Sequence, residues 1–227
     1  MKKDIKKWMF ISTEGILLVV FTMLDLGWKE KWNLSNHLKY MSIVLCFFYV
    51  IFCFGRKQMK QDDAIVRLAI FFTLLSDTFL VLFDQEELGV TSFVCTQLCY
   101  WYRLHNYKWE NTKVLFLLWQ LVVLGMFVLQ VPVDYLLWIT CLYITVLVAN
   151  VCYSLVHRDN IKFTIGLVLF LCCDLNVGVI NLTKYLPMPE ASYSRIYQIA
   201  SVAIWTFYLP SQVLLVLSTK EESVITS

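Results

Sequence analysis

Two aspartates stand where a carboxylate is costly. Asp77 is the one charge in LAIFFTLLSDTFLVLF (68–83), and Asp174 is the one charge in FTIGLVLFLCCDLNVGVINL (163–182). Inserting an Asp near the centre of a membrane helix costs about 2.5–3.5 kcal/mol. An intramembrane charge is by default functional. In an apolar medium the protonated carboxyl is the cheaper form, and two carboxyls close together favour one neutral and one ionised member. Such a pair supplies a general acid and a base at neutral pH. The structural alternative for either residue is a hydrogen bond that ties its helix to a neighbour. The matched settings of the two weigh against it.

Other polar residues accompany them. Gln97 and Tyr100 lie three apart in FVCTQLCYWY, and Tyr208 and Gln212 four apart in WTFYLPSQVLL. Each pair shares one helix face. Taken singly, each residue reads equally well as interhelical glue, worth about 0.6 kcal/mol per hydrogen bond. Pro210 cannot donate to the carbonyl of Thr206, so a bend is expected there. Lys39 opens an apolar run, from which its amine can snorkel to the headgroups. Glu14 and Asp25 read as lining residues or near-interface charges. The eight cysteines are scattered through apolar runs without zinc-site spacing, and His37, His105 and His157 fall at run ends. No metal ligand set and no phosphate-cradling glycine loop is indicated.

The elements that must position these residues follow from composition. The chain of 227 residues is 59% hydrophobic and only 16% charged, with a mean hydropathy of +0.65. A soluble domain of this size could not bury that much apolar surface. The net charge of +2 forms no basic stripe, which argues against nucleic acid as a partner. A membrane helix needs about 20 apolar residues. Eight such runs are present, at 8–28, 35–54, 64–83, 88–104, 112–131, 133–156, 162–182 and 193–218. The expected fold is an all-α integral membrane bundle, one polytopic domain over 1–227. Basic residues concentrate in MKKDIKK, GRKQMKQDD, the Arg103–Lys113 connection and HRDNIK, whereas DQEE and VPVD carry none. Lys29, Lys31, Lys184 and Arg195 are exceptions, and the bias still puts both termini in the cytoplasm. Glu14 interrupts the first run and no small-residue cleavage site follows, so that run reads as a retained span. Asp77 and Asp174 each fall about 12–13 residues into a span of the same direction, roughly 18–20 Å at 1.5 Å per residue. Four spans followed by four, each set with an acid in its third helix, suggest a parallel 4+4 repeat.

The residues in LLSDTFLVL and LGVTSFVCTQLCYWYRL resemble the third and fourth helices of the lysoplasmalogenase family, the YhhN-type membrane proteins. Asp77, Gly89, Phe93 and Tyr100 match that pattern; Phe170 and Asp174 match its second segment, and Tyr208 and Gln212 its last helix. Lys39 sits where the family often has Lys-Pro. Ser76, Gln97, Cys173 and Tyr40 depart from the usual glycine, histidine, serine and proline. The resemblance implies a cofactor-free hydrolase of lysoplasmalogens, with Asp77 and Asp174 catalytic and Lys39, Gln97, Tyr100, Tyr208 and Gln212 holding the lysophospholipid substrate. Protonation of a vinyl ether carbon gives an oxocarbenium ion that water attacks, which is work for an acid and an anionic partner. The alternative function is a small proton- or cation-coupled transporter or another lipid-handling protein. Against it, Gly and Pro breaks within the helices are few, Pro210 being the main one, and broken helices are the usual mark of a transporter.

Overall fold

Backbone polar groups in hydrocarbon must be satisfied within their own segment, so long apolar runs become helices. A computed structural model describes residues 2–27, 32–53, 61–106, 108, 112–128, 130, 134–183 and 189–219. Among them are eight helices: α1 (Lys2–Gly27), α2 (Trp32–Cys53), α3 (Gln61–Asp77), α4 (Glu86–Leu104), α5 (Thr112–Val128), α6 (Tyr135–His157), α7 (Ile161–Thr183) and α8 (Glu190–Leu217). Each expected run holds one of them. The α-helical winding of α3 gives way to a π-helical turn at Thr78–Leu82. Six helices are long and apolar enough to cross a bilayer on length and hydropathy alone, namely α1, α2, α3 with its π-turn, α6, α7 and α8. α5 is shorter at 17 residues. α4 falls below that hydropathy because Gly89, Ser92, Thr96 and Gln97 face protein rather than lipid. The connections at 28–31, 54–60, 109–111, 131–133 and 184–188 lie outside the described residues.

Polar side chains are drawn inside the bundle, and many large apolar ones face outward. Thr73, Ser76, Asp77, Gln97, Asn150 and Gln212 are buried, while Phe52, Phe127, Val156 and Ile199 are exposed. This is the arrangement that a bilayer solvent selects.

Helix packing gives a ring. α3 packs on α4, α4 on α6, α6 on α7, α7 on α8, and α8 back on α3. α1 and α2 lie outside this five-helix ring against α8, with α2 also reaching α3. α5, among the described residues, packs on α6 alone. Among the described residues α3 and α7 do not pack on one another, so no helix seam joins the two aspartates. The expected repeat is present in part: α4 packs on α6 as α8 packs on α2. It is broken elsewhere, since α1 packs on α8 whereas α5 does not pack on α4 among the described residues.

Candidate active site

Asp77 is placed by local backbone geometry. It is the last residue of α3 before the π-turn, 4% exposed. π-turns inside helices recur at functional sites because the extra residue re-aims the side chains around it. The turn is seated on α4. Ser76 Oγ donates to the Gly89 carbonyl at 2.7 Å. A Cβ on Gly89 would collide with the Leu80 side chain, so the missing side chain of Gly89 admits the turn. Tyr40 of α2 and Thr78 join their hydroxyls at 3.1 Å on the other flank. Tyr208 of α8 then donates its hydroxyl to Asp77 Oδ2 at 2.7 Å. Asp77 Oδ1 accepts no hydrogen bond from a described residue.

Asp174, on α7, receives the hydroxyl hydrogen bond of Tyr143 from α6. The Cys173 thiol also lies against it. The two carboxyls are held by tyrosines that share aromatic neighbours. The rings between them are contiguous: Phe93 sits 5.7 Å from Tyr143, 5.5 Å from Phe170 and 6.3 Å from Tyr208. Phe170 closes on Tyr208 at 5.6 Å. Each carboxyl therefore has one tyrosine donor, and an aromatic platform from α4, α7 and α8 spans the interval.

The remaining expected site residues divide. Gln97 is fully buried one turn beyond Phe93, and its Oε1 accepts from Asn150 Nδ2 at 3.0 Å. Tyr100 is buried farther along the same face, with its ring against Phe163 at 5.3 Å. Gln212 is fully buried one turn beyond Tyr208. Lys39 stands apart. It is not snorkelling: it is 2% exposed and outside the five-helix ring, paired with Asp25 Oδ2 at 2.8 Å. The rings of Phe21 and Trp205 cover it at 5.9 and 5.5 Å. Burial with an acid and two aromatic faces gives the ammonium more than the interface would. Trp205 in turn lies 5.3 Å from Tyr208, the donor to Asp77.

Sequence reasoning missed Tyr143, Asn150 and the Asp25–Lys39 pair. Tyr143 and Asn150 are seven apart in α6, two turns on one face, and that spacing of polar residues in an apolar run was the available signal. It also missed the bracket at the end of the bundle where α3 starts and α4 and α8 finish. There Arg103 binds both oxygens of Asp62, at 2.7 and 2.9 Å, and donates to Ser218 Oγ at 2.7 Å.

A family model described as the YhhN family matches residues 34–219. The chain belongs to the YhhN family. The match takes in α2 to α8, hence both aspartates, both tyrosine donors and the whole five-helix ring. It leaves out α1, which supplies Asp25 to Lys39 and carries Glu14. No curated protein and no solved structure matches the chain. Within the YhhN match, Gln97 occupies the position where the resemblance led us to expect a histidine, and Asn150 is its partner.

Proposed function

We propose that this YhhN-family chain is a membrane hydrolase that cleaves the vinyl ether bond of lysoplasmalogens. The observation that carries the reading is the pair of aspartates on two helices of one ring, each held by a tyrosine from a different helix. One carboxyl, neutral, transfers its proton to the vinyl carbon distal to the ether oxygen, and the π electrons form that C–H bond. The oxygen-bearing carbon becomes an oxocarbenium centre, and the second carboxyl, ionised, faces that charge. Water adds to this carbon and yields its proton to a carboxylate, giving a hemiacetal. The hemiacetal collapses to a fatty aldehyde and the free glycerophospho-headgroup, so one water is consumed and no proton is lost overall. The logic parallels that of glycosidases, which also pass through an oxocarbenium-like state between two carboxyls.

The test is aldehyde release from a lysoplasmalogen by purified protein in liposomes. Asp77→Asn and Asp174→Asn keep shape and hydrogen bonding but supply neither proton nor charge. Each should lose about 10²–10⁴ in rate. Restoring the family's residue through Gln97→His should raise turnover if a histidine at this position moves a proton. No aldehyde from either the natural chain or Gln97→His would end the hydrolase reading. One observation favours a second reading, proton or cation passage. Glu14 of α1 is 2% exposed, its Oε1 accepting from Cys46 Sγ at 3.6 Å and its Oε2 without a partner. Flux through liposomes that depends on Asp77 would support that reading instead.

A further inference from the structure

Gln97 and Gln212 lie at one level of the bundle. α4 and α8 run parallel and touch at two places, Phe93 with Tyr208 and Arg103 with Ser218. Both contacts have the same offset of 115 positions, and so do Gln97 and Gln212. The backbones of α4 and α8 do not pack on one another among the described residues. The two amides therefore stand across the ring's interior, between the contacts above and below. Asn150 of α6 joins this level through its bonds to the side chain and the carbonyl of Gln97 at 3.0 and 2.9 Å. Ser211 lies at nearly the same height on α8 as Gln212, roughly 100° round the helix.

This level is polar and unsatisfied. Gln97, Asn150, Ser211 and Gln212 all have zero exposure. Gln97 Nε2, Asn150 Oδ1, Ser211 Oγ and both amide atoms of Gln212 have no hydrogen-bond partner among the described residues. A buried polar group left unmatched costs about 1–3 kcal/mol, so several in one layer would be a heavy burden on a dry core. The set holds two amide donors, two carbonyl acceptors and a hydroxyl that serves as either. It holds no charge. A small neutral molecule that both donates and accepts satisfies it, and water does so in buried sites of this kind.

We propose that Gln97, Asn150, Ser211 and Gln212 form an internal water compartment, and that it supplies the water consumed at Asp77 and Asp174. The second clause rests on the hydrolase reading; the first does not. The roof of the compartment is the Phe93–Phe170–Tyr208 platform, beyond which Tyr208 reaches Asp77. Gln212 is one helical turn from Tyr208, about 5.4 Å along the axis. The floor is the Tyr100–Phe163 pair, with Arg103 over Phe163 at 4.6 Å. Phe163, Arg103 and Asp62 also line a cavity at that end of the bundle, together with Ser154, Asn160 and Thr164. Water thus has its own approach, separate from the bilayer through which an amphipathic substrate arrives.

The experiment has two readouts on the full chain in nanodiscs. The first is radiolytic hydroxyl labelling in ¹⁸O-water, read by mass spectrometry, which marks side chains beside internal water whether or not the protein turns over any lipid. Tyr100 and Tyr208 should label well above Phe10, whose surroundings are apolar, and Gln212→Leu should remove the excess. Equal labelling of the three in the natural chain overturns the compartment. The second readout is aldehyde release. Gln212→Leu and Gln97→Leu should lower kcat by about 10²-fold, the usual scale for a misplaced reactant, with little change in KM. Should either leucine variant fail to fold, Ser211→Ala and Gln212→Asn carry the same comparison with smaller losses. A raised KM with unchanged kcat would mean that the amides grip substrate directly, and would overturn the supply role. Labelling without any aldehyde from the natural chain would leave the compartment standing and remove the hydrolase reading alone.

Discussion

Lys39 and Asp25 give the sharpest energetic prediction. Their side chains are 2% and 5% exposed and paired at 2.8 Å, and Asp25 Oδ1 takes a further hydrogen bond from Ser35 at 2.6 Å. An exposed pair would contribute only about 0–1 kcal/mol. Here, removal of one partner leaves an uncompensated buried charge, at a cost of about 3–5 kcal/mol. The two single variants should differ. Lys39→Met leaves Asp25 with its Ser35 donor and should sit near the lower end, about 3 kcal/mol. Asp25→Leu removes the carboxylate paired with a buried ammonium and should approach about 5 kcal/mol. Replacing both by apolar residues of similar volume is often neutral, so the double variant should be more stable than either single one. Reversible unfolding in mixed micelles, run as a double-mutant cycle, reads this coupling. Single losses below about 1 kcal/mol, in the range of surface pairs, would refute the reasoning. Lost aldehyde release with undiminished stability would instead restore Lys39 to the substrate.

Three further outcomes are expected. Tyr208→Phe and Tyr143→Phe each delete a hydrogen bond to a carboxyl, worth about 1.5–3 kcal/mol when the partner is charged; kcat for aldehyde release should fall roughly 10–100-fold, and an unchanged kcat would detach these tyrosines from the chemistry. Gly89→Ala should cost about 1–3 kcal/mol by overpacking against Leu80, and Leu80→Ala in the same chain should recover much of it in thermal unfolding. The basic connections predict that reporters fused at Asp84–Glu87 and at the carboxyl terminus lie on opposite sides of the membrane, and a shared side would reject the eight-span topology.

The helices and both aspartates were legible in the sequence because lipid imposes a simple code: apolar length for the spans, and a conspicuous exception for each charge. What the code lacks is any statement of which faces meet. Tyr208 and Gln212 share a face as expected, yet their environments differ, since Tyr208 meets Asp77 while Gln212 turns toward an interior with no protein partner. Lys39 read as an interfacial residue because its position at the start of a span is local information. Its partner Asp25 is on the preceding helix and arrives only when α1 and α2 close on one another. α4 illustrates the limit of hydropathy: surrounded by α3 and α6, it has no need to be as apolar as a lipid-facing span. The π-turn after Asp77 depends on how Leu80 settles against Gly89, a packing event with no local sequence signature.

α4 and α6 are parallel neighbours, their contacts advancing together from Phe93–Tyr143 to Trp101–Tyr153. A chain that joins two parallel neighbours must run back between them, and α5, an apolar helix of 17 residues, lies in that connection. It serves the same topological purpose as the helix between two parallel strands of a sheet. Of its residues only Leu115 is buried, so its side chains have little say in how the ring closes. Its obligation is to length and greasiness rather than to shape. The stretch 112–128 can therefore diverge freely among apolar residues over evolutionary time, while the helices it connects are held to their particular side chains.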